Sequence, residues 1–196
     1  MIKLYETNTF YLRPFVESDI TESYLQWFHD QAVTKYTSHG LFGYTKNQAL
    51  QFLEKSRKNG DIVWAIMAKF IFLTQDHKES RNIINYDKGI HIGNISLQDI
   101  HWIDRRAEFA GVIGEKEYWG KGIGTEAVRL LFAHGFDKLN LNRIWLGTAA
   151  SNRGMRTIAE RLGMSIEGVL RKHLFLNGQY ENVMQYGILR IEWNQK

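Results

Sequence analysis

A short glycine-rich stretch decides the fold of this chain: Tyr118-Trp119-Gly120-Lys121-Gly122-Ile123-Gly124-Thr125. Its three glycines fall within five residues, so successive backbone amides can point into one concavity. Beyond it, apolar residues recur at the i, i+4, i+7 and i+8 spacing of a helix face, namely Ile123, Ala127, Leu130 and Leu131. The start of that helix would add free amides and the positive end of its dipole. The stretch therefore predicts a cradle for an anion such as a pyrophosphate.

The glycines alone leave other interpretations open. Glycine-rich turns also occur where a helix simply packs against a strand. A P-loop would need G-x-x-x-x-G-K-[ST], which no segment supplies. Gly122, Gly124 and Ala127 do satisfy the dinucleotide pattern G-x-G-x-x-A. That pattern should follow its strand at once and precede an acid by ~20 residues, but about eight residues separate Ile113 from Gly122, and the acid would fall near Asn142.

Runs of β-branched and aromatic residues predict the strands. These runs lie at residues 9–13, 62–72, 89–97, 107–113, 143–148, 166–176 and 180–191. A long polar connection is predicted over residues 74–87. Asn177-Gly178 joins the last two strands, and this dipeptide suits a type I′ turn because both positions tolerate positive φ. The chain is thus expected to close with a hairpin.

Helix signals lie between these strands. The spacing of Asp19 and Glu22 is that of a capping box, and Thr45 with Gln48 forms a second box, whose helix ends before Gly60. A further helix is predicted over residues 155–162, followed by a glycine stop at 163. The order of elements predicts an α/β or α+β fold in which helices cover a mixed sheet.

Length and composition favour a single domain over residues 1–196. Apolar residues make up 44% and charged residues 23%, which excludes the disordered and fibrous classes. The absence of cysteine excludes disulfides, thiolate metal sites and a cysteine acyl-enzyme. No apolar run approaches the ~18 to 20 residues of a spanning helix, and the first residues contain no apolar signal core. We therefore expect a cytoplasmic protein with no membrane contact.

Charge constrains the partners. The formal net charge of +4 favours anionic ligands, but Lys and Arg form no run of five or six. A nucleic-acid partner is therefore not expected. No histidine spacing suggests a metal site.

Several segments together resemble one family. They are Ala107-Glu108-Phe109-Ala110-Gly111, residues 118–127, Asn152-Arg153-Gly154-Met155, Glu160-Arg161-Leu162-Gly163-Met164 and Glu167-Gly168. They are similar to the acetyl-coenzyme A segments of the GNAT superfamily of N-acetyltransferases, especially the branch of ribosomal-protein-alanine N-acetyltransferases. The resemblance implies a mixed, mostly antiparallel, twisted sheet of about seven strands flanked by about four helices.

The resemblance also implies how acetyl-coenzyme A, the co-substrate, is held. In this family the strand before the loop diverges from its neighbour, and the pantetheine arm lies in the gap. That strand would be residues 107–113 here, the loop amides would bind the pyrophosphate, and Asn152 would hold the arm from the far side, unless it only caps a helix. The implied coenzyme-binding residues are Gly111, Val112, Ile113, Trp119, Gly120, Lys121, Gly122, Ile123, Gly124, Thr125, Asn152 and Met155.

Three positions depart from the family pattern. Gln or Arg often stands where this chain has Trp119, so the indole is expected to pack under the loop. Many members carry a tyrosine at the position of Ala159, which protonates the departing thiolate, and the alanine branch often has serine at the position of Met155. The general acid is therefore unassigned.

Glu108 is the preferred general base, acting directly or through water, because its strand should flank the acetyl group. Alternatively it is a solvated charge or a partner of Arg105 or Arg106. The other acids near the loop, Glu115 and Glu117, are expected to be solvated or to approach the helix start. The histidines at positions 101 and 173 are expected to be structural or exposed.

The acceptor pocket should come from the first two helices and the final hairpin. Candidates there are Trp27, Tyr36, Tyr86 and Tyr180, although aromatic residues at helical spacing are more often core. The predicted activity is transfer of acetyl to a primary amine: a protein N-terminal amine, an amino-sugar nucleotide, or a small polyamine or antibiotic. The alternative is a non-catalytic acyl-coenzyme A binding module or regulator. Either a monomer or a homodimer is expected.

Overall fold

The computed structural model describes residues 2–38, 41–69 and 89–194. Its described strands form one eight-stranded sheet in the order β1-β2-β3-β4-β5-β6-β8-β7. The strands are β1 (Tyr5–Glu6), β2 (Phe10–Pro14), β3 (Ile62–Ala68), β4 (Ile90–His101), β5 (Arg106–Ile113), β6 (Arg143–Ala149), β7 (Ser165–Leu176) and β8 (Gln179–Leu189).

Helices occupy both faces of this sheet. They are α1 (Glu22–Trp27), α2 (Gln31–Thr34), α3 (Lys46–Asn59), α4 (Ile123–Ala133), α5 (Arg153–Arg161) and α6 (Arg190–Trp193). The predicted class, a mixed and mostly antiparallel sheet flanked by helices, is confirmed. The sheet has eight strands where about seven were expected.

One strand pair differs from all the other described pairs. β5 and β6 run parallel, whereas the remaining neighbours are antiparallel. Their ladder contains three pairs, Arg106 with Arg143, Ala107 with Ile144, and Glu108 with Trp145. Both strands continue beyond it, to Ile113 and Ala149, without pairing further with each other. A gap therefore opens in the sheet toward the carboxyl ends of these two strands.

Two clusters of buried side chains lie on opposite faces, because successive residues of a strand alternate between faces. The first cluster joins α4 and α5 to strands from β2 to β8, with Leu12, Ala107, Ile144 and Tyr186 among its members. The second joins α1 and α3 to β2 and β3, through residues such as Tyr11. No described residue of β5, β6 or β8 belongs to the second cluster. Among the described residues, the first cluster covers one face of the sheet from β2 to β8, and the helices of the second cover the other face over β2, β3 and the start of β4.

Local sequence signals formed several of these elements as predicted. The Thr45 and Gln48 capping box is present at the start of α3, and Gly60 ends that helix with a φ of +74°. Gly163 follows α5 with a φ of +73°. Asn177 and Gly178 have φ angles of +50° and +80°, as a type I′ turn between β7 and β8 requires.

The capping box predicted for α1 was wrong. Thr21 is the N-cap, and its side chain accepts a hydrogen bond from the Tyr24 amide at 3.2 Å. The Asp19 carboxylate instead accepts hydrogen bonds from the two terminal nitrogens of the Arg13 guanidinium, at 2.5 and 2.6 Å, and from the Val16 amide at 2.9 Å. Asp19 and Arg13 are both buried, so the carboxylate forms a tertiary ion pair and does not cap α1.

Several strand limits also differ from the prediction. β3 ends at Ala68, and β4 runs to His101, beyond the predicted limit at residue 97. β8 ends at Leu189, because α6 begins at Arg190, inside the predicted last strand. Residues 70–72 of the predicted third strand and the predicted connection over 74–87 lie outside the described residues. Within the described segments, no helix combines the length and apolar character needed to cross a bilayer.

His91 lies beneath α1 in an aromatic setting. Its ring stacks on Tyr24 at 5.9 Å between centroids and meets Trp27 edge-on at 4.9 Å. Nε2 contacts two acceptors, the Gly93 carbonyl at 3.1 Å and Asn94 Oδ1 at 3.2 Å, which assigns the proton to Nε2. Nδ1 is buried without a hydrogen-bond partner. Burial lowers the His91 pKa to about 4. The charges of the Arg13 and Asp19 pair have opposite effects on this pKa, since Asp19 raises it and Arg13 lowers it.

Asp19→Asn should destabilise the fold strongly, because it leaves the Arg13 guanidinium buried without its counter-charge. We expect a loss of about 3–5 kcal/mol in the free energy of unfolding, measured by urea denaturation. Glu54→Gln is the control, since it breaks only the exposed pair with Lys58 and should change little. Equal effects of the two substitutions would contradict a structural role for the buried pair.

His91 should make stability depend on pH. The unfolded chain takes up a proton near pH 6.5, whereas the folded chain does so near 4, so this stabilisation is complete above pH 6.5 and is lost as pH falls toward 4. Between pH 7 and 4, wild type should lose about 2–3 kcal/mol more than His91→Gln, by urea denaturation at each pH. The exposed His101 provides the control in His101→Gln. Identical pH profiles for wild type and His91→Gln would refute the assignment.

Candidate functional site

The gap between β5 and β6 is the centre of the site. Beyond Glu108 and Trp145, the facing edges of the two strands have no ladder partner in the described chain. Unpaired backbone amides and carbonyls are unfavourable unless something hydrogen-bonds to them. Three predicted coenzyme residues, Gly111, Val112 and Ile113, belong to β5 where it borders this gap. The gap thus suits an extended ligand that carries amide groups.

The glycine-rich loop lies at the open end of the gap, since it follows the carboxyl end of β5. Gly120 and Gly122 have φ angles of +72° and +81°, and a Cβ at either would meet nothing within 4 Å. The requirement for glycine is therefore one of backbone conformation. Gly122 is the N-cap of α4 and supplies no side-chain cap to the first-turn amides. These amides, from Ile123 to Thr125, are placed as an anion cradle needs them.

Trp119 fastens the loop to the end of β5. Its indole Nε1 donates to the carbonyl of Ile113 at 2.8 Å, while the side chain remains 43% exposed. This bond gives the indole a hydrogen-bonding role at the start of the loop. The Ile113 carbonyl is therefore already hydrogen-bonded, and a ligand in the gap would have to pair with other backbone groups of β5.

The beginning of the loop is held by α1. The ring of Trp27 packs on Gly114, where a Cβ would lie 1.9 Å from the indole, and Trp27 Nε1 donates to Glu115 Oε1 at 2.8 Å. Lys116 pairs with Asp30 at 2.5 Å just beyond. Trp27 is 4% exposed, so this environment favours a supporting role for it over contact with an acceptor. Glu115 is likewise engaged, where sequence analysis expected solvent or the approach to a helix.

Asn152 borders the far side of the gap as the N-cap of α5. Its Oδ1 accepts from the Met155 amide at 3.2 Å, and its Nδ2 donates to Thr148 Oγ1 at 3.1 Å. The helix-capping interpretation therefore describes the structure as it stands, and it still leaves one Nδ2 hydrogen for a ligand. Met155 is partly buried against the core, and Ala159 is fully buried.

Glu108 lies at the closed end of the gap. Its strand neighbours, Ala107 and Phe109, belong to the α4 side of the sheet, so Glu108 points to the other face. It is half-buried, and burial first, then the nearby Asp99, raises its pKa above the usual value. Arg106, considered above as its partner, pairs instead with Asp99 at 3.3 Å. A carboxylate with a raised pKa is better suited to accept a proton near neutral pH.

The predicted acceptor residues are spread over the structure. Tyr36 follows α2, with Lys35 Nζ 5.3 Å from its ring centroid. Tyr180 is 68% exposed on β8 and packs against Phe175 at 5.1 Å. Tyr86 lies outside the described residues. Among the described residues, Tyr36 and Tyr180 thus belong to different elements, and Trp27 is buried against the loop.

Trp145 was missed by sequence analysis. It pairs directly with Glu108 in the β5–β6 ladder, and its neighbours Ile144 and Leu146 face the opposite core. Trp145 therefore shares the partly open face with Glu108 and is itself half-buried. The sequence contains a partial signal, because Ile144 and Leu146 share one phase of the strand and Trp145 lies in the opposite phase with Arg143.

Two curated relatives match part of the chain. The Bacillus subtilis (strain 168) protein YdaF, whose given name points to ribosomal N-acetylation, is 39% identical over 108 residues, 55% of this chain and 58% of its own length. The spermidine N(1)-acetyltransferase of Escherichia coli (strain K12) is 36% identical over 118 residues, 60% of this chain and 62% of its own length. The matches thus span less than two thirds of either relative.

The fold agrees with solved structures over nearly the whole chain. One is the spermidine N-acetyltransferase of Vibrio cholerae, solved in complex with CoA and spermine. It superimposes with a TM-score of 0.75 at 22% identity, covering 96% of this chain and 99% of that one. The model of the acetyltransferase (GNAT) domain family matches residues 9–165, well over half of the sequence. This chain therefore belongs to the GNAT acetyltransferase family, as the gap beside β5 and the glycine-rich loop had indicated.

Proposed function

We propose that this chain is an N-acetyltransferase that passes acetyl from acetyl-coenzyme A directly to a primary amine. The observation that carries the proposal is the gap between β5 and β6, which ends at the glycine-rich loop and the uncapped start of α4. Family membership and the names of both matched relatives support it. The non-catalytic alternative has no such support.

The donor would occupy the gap and the loop. Its pyrophosphate would accept hydrogen bonds from the loop amides after Trp119, as far as Thr125, because the Trp119 amide already donates to the Lys116 carbonyl. The dipole of α4 adds a favourable field there. The pantetheine arm would pair with the free edge of β5 from Gly111, and Asn152 and Met155 would contact it from α5. These residues are proposed ligands of the coenzyme.

Glu108 would act as the base of the reaction. The acceptor amine must lose a proton before its lone pair can attack the thioester carbon, and Glu108 would take that proton directly or through water. The C–N bond then forms, the nitrogen releases its second proton, the C–S bond breaks, and the departing thiolate takes up a proton, which leaves the amide and coenzyme A. No covalent enzyme intermediate is needed, and the chain has no cysteine to form one.

The acceptor is proposed only as a class. The two relatives are named for spermidine and for ribosomal N-acetylation, which favours a polyamine or a protein N-terminal amine, while an amino-sugar nucleotide is the third possibility from sequence. We further propose that residues 1–196 form a single domain of this kind. Cytoplasmic location and a monomeric or homodimeric state stay predictions.

Gly122→Ala should weaken coenzyme binding. The φ of +81° strains any residue with a Cβ by about 1–2 kcal/mol, so the loop would relax and its amides would lose their common direction. We expect the Kd of coenzyme A, measured by calorimetry, to rise about tenfold or more. Gly60→Ala is the matched control, because its φ of +74° imposes the same strain at the end of α3. A similar Kd for both variants would contradict the cradle.

Glu108→Gln should remove a proton acceptor without harming the fold. We expect the rate of coenzyme thiol release with spermidine and with an N-terminal peptide to fall by about 10²–10⁴. In wild type the rate should rise with pH through the raised Glu108 pKa, because the carboxylate form accepts the proton, and this rise should vanish in the variant.

The same substitution also separates catalysis from stability. Since burial disfavours the Glu108 charge, removing that charge should not lower the free energy of unfolding at pH 7. Glu17→Gln, at an exposed position on the first 3₁₀ turn, should leave activity unchanged. Absence of thiol release from wild type with every amine tested would overturn the proposed function.

A further inference from the structure

The partly open face of the sheet offers a place for the acceptor beside the closed end of the gap. The α1 and α3 cluster covers β2 and β3 on this face, and no described residue of β5, β6 or β8 contributes to it. Glu108 and Trp145 lie on this face beyond that cluster, directly opposite each other, and both are half-buried. Since an arm entering the gap from the loop ends near the last ladder pair, its reactive end would face these two side chains.

On the side away from β5, Trp145 faces a carboxylate that is already paired. Its partner on β8 is Gly187, which has no side chain. The Glu167 carboxylate reaches over Gly187, since a Cβ there would lie 2.4 Å from Glu167 Oε1. Glu167 is neutralised by a bidentate pair with Arg143. The indole therefore lies between a compensated carboxylate and Glu108.

Glu108 has no such compensation. No ion pair joins it to a side chain in the described part of the chain, and its partner on β4 is the uncharged Gln98. Asp99, whose charge helps to raise the Glu108 pKa, is also negative. A half-buried carboxylate of this kind attracts a cation, and an adjacent indole face attracts the same cation through its quadrupole. An anionic acceptor would meet repulsion at this point.

We infer that Trp145 and Glu108 together bind the protonated amine of a cationic alkylamine acceptor, with the ammonium on the indole face before Glu108 removes its proton. This inference rests on the proposed function and selects among its acceptor classes. It favours polyamines and excludes anionic amino-sugar nucleotides. Trp145 then contacts the acceptor and helps to select acceptors that carry a positive charge.

The test compares Trp145→Leu and Trp145→Phe, with spermidine as the probe. Equilibrium binding of spermidine to coenzyme-saturated protein, measured by calorimetry, needs no turnover. Leucine keeps apolar bulk but removes the ring, so the Kd should rise about 5–30-fold, whereas phenylalanine should give an intermediate value. The KM for spermidine should follow the Kd, and kcat should change less. Trp102→Leu, on the exposed turn after β4, is the matched control.

An unchanged Kd of coenzyme A in each variant shows that the fold is intact. If spermidine then binds Trp145→Leu as tightly as wild type, the inference is wrong and the proposed function is untouched. Thiol release with a UDP-amino sugar but not with spermidine would also overturn it while upholding acetyl transfer. Binding of spermidine that depends on Trp145, with no thiol release from any amine, would support the cation site and refute the proposed function instead.

Discussion

The parallel ladder between β5 and β6 holds for three residue pairs, and the geometry of the site depends on where it stops. Antiparallel neighbours can be joined by a short turn, but parallel strands require a crossover connection, which α4 supplies. The crossover places the glycine-rich loop and the start of α4 at the carboxyl ends of both strands. Because the strands then separate, unpaired backbone edges converge on the same end as the amides of the loop.

The unequal helix layers decide which side chains can reach that gap. The layer with α4 and α5 is tied to strands from β2 to β8 and forms the continuous core. The layer with α1 and α3 reaches from β2 to the start of β4, and its polar interior contains the Arg13 and Asp19 pair and the neutral His91. α1 also touches the loop through Trp27 and Glu115. This layer therefore supports the loop proposed to bind the coenzyme, while Glu108 and Trp145 lie half-buried beyond it.

Local signals were reliable where neighbouring residues alone supply the interaction. Thr45 and Gln48 cap α3 because both partners lie within one helical turn, and Asn177-Gly178 turns because its own dihedral preferences suffice. Asp19 had equally good spacing for a cap, but Arg13 on the adjacent β2 offered a buried charge that only a carboxylate could neutralise. Tertiary contacts also decided the place of Trp27, which was expected in the acceptor pocket but packs on Gly114 at the start of the loop.

By itself the sequence determined the loop conformation, the order of the longer strands and helices, and the family that the glycine-rich segment resembles. Glycine φ preferences, apolar periodicity and capping act over a few residues, so they can be recognised without a fold. Only the tertiary structure decided that β5 and β6 part after Glu108, that Trp145 stands beside that carboxylate, and that Gly187 is the partner of Trp145 on β8. Such pairings join residues distant along the chain, and they are set by strand register and by which face each helix layer covers.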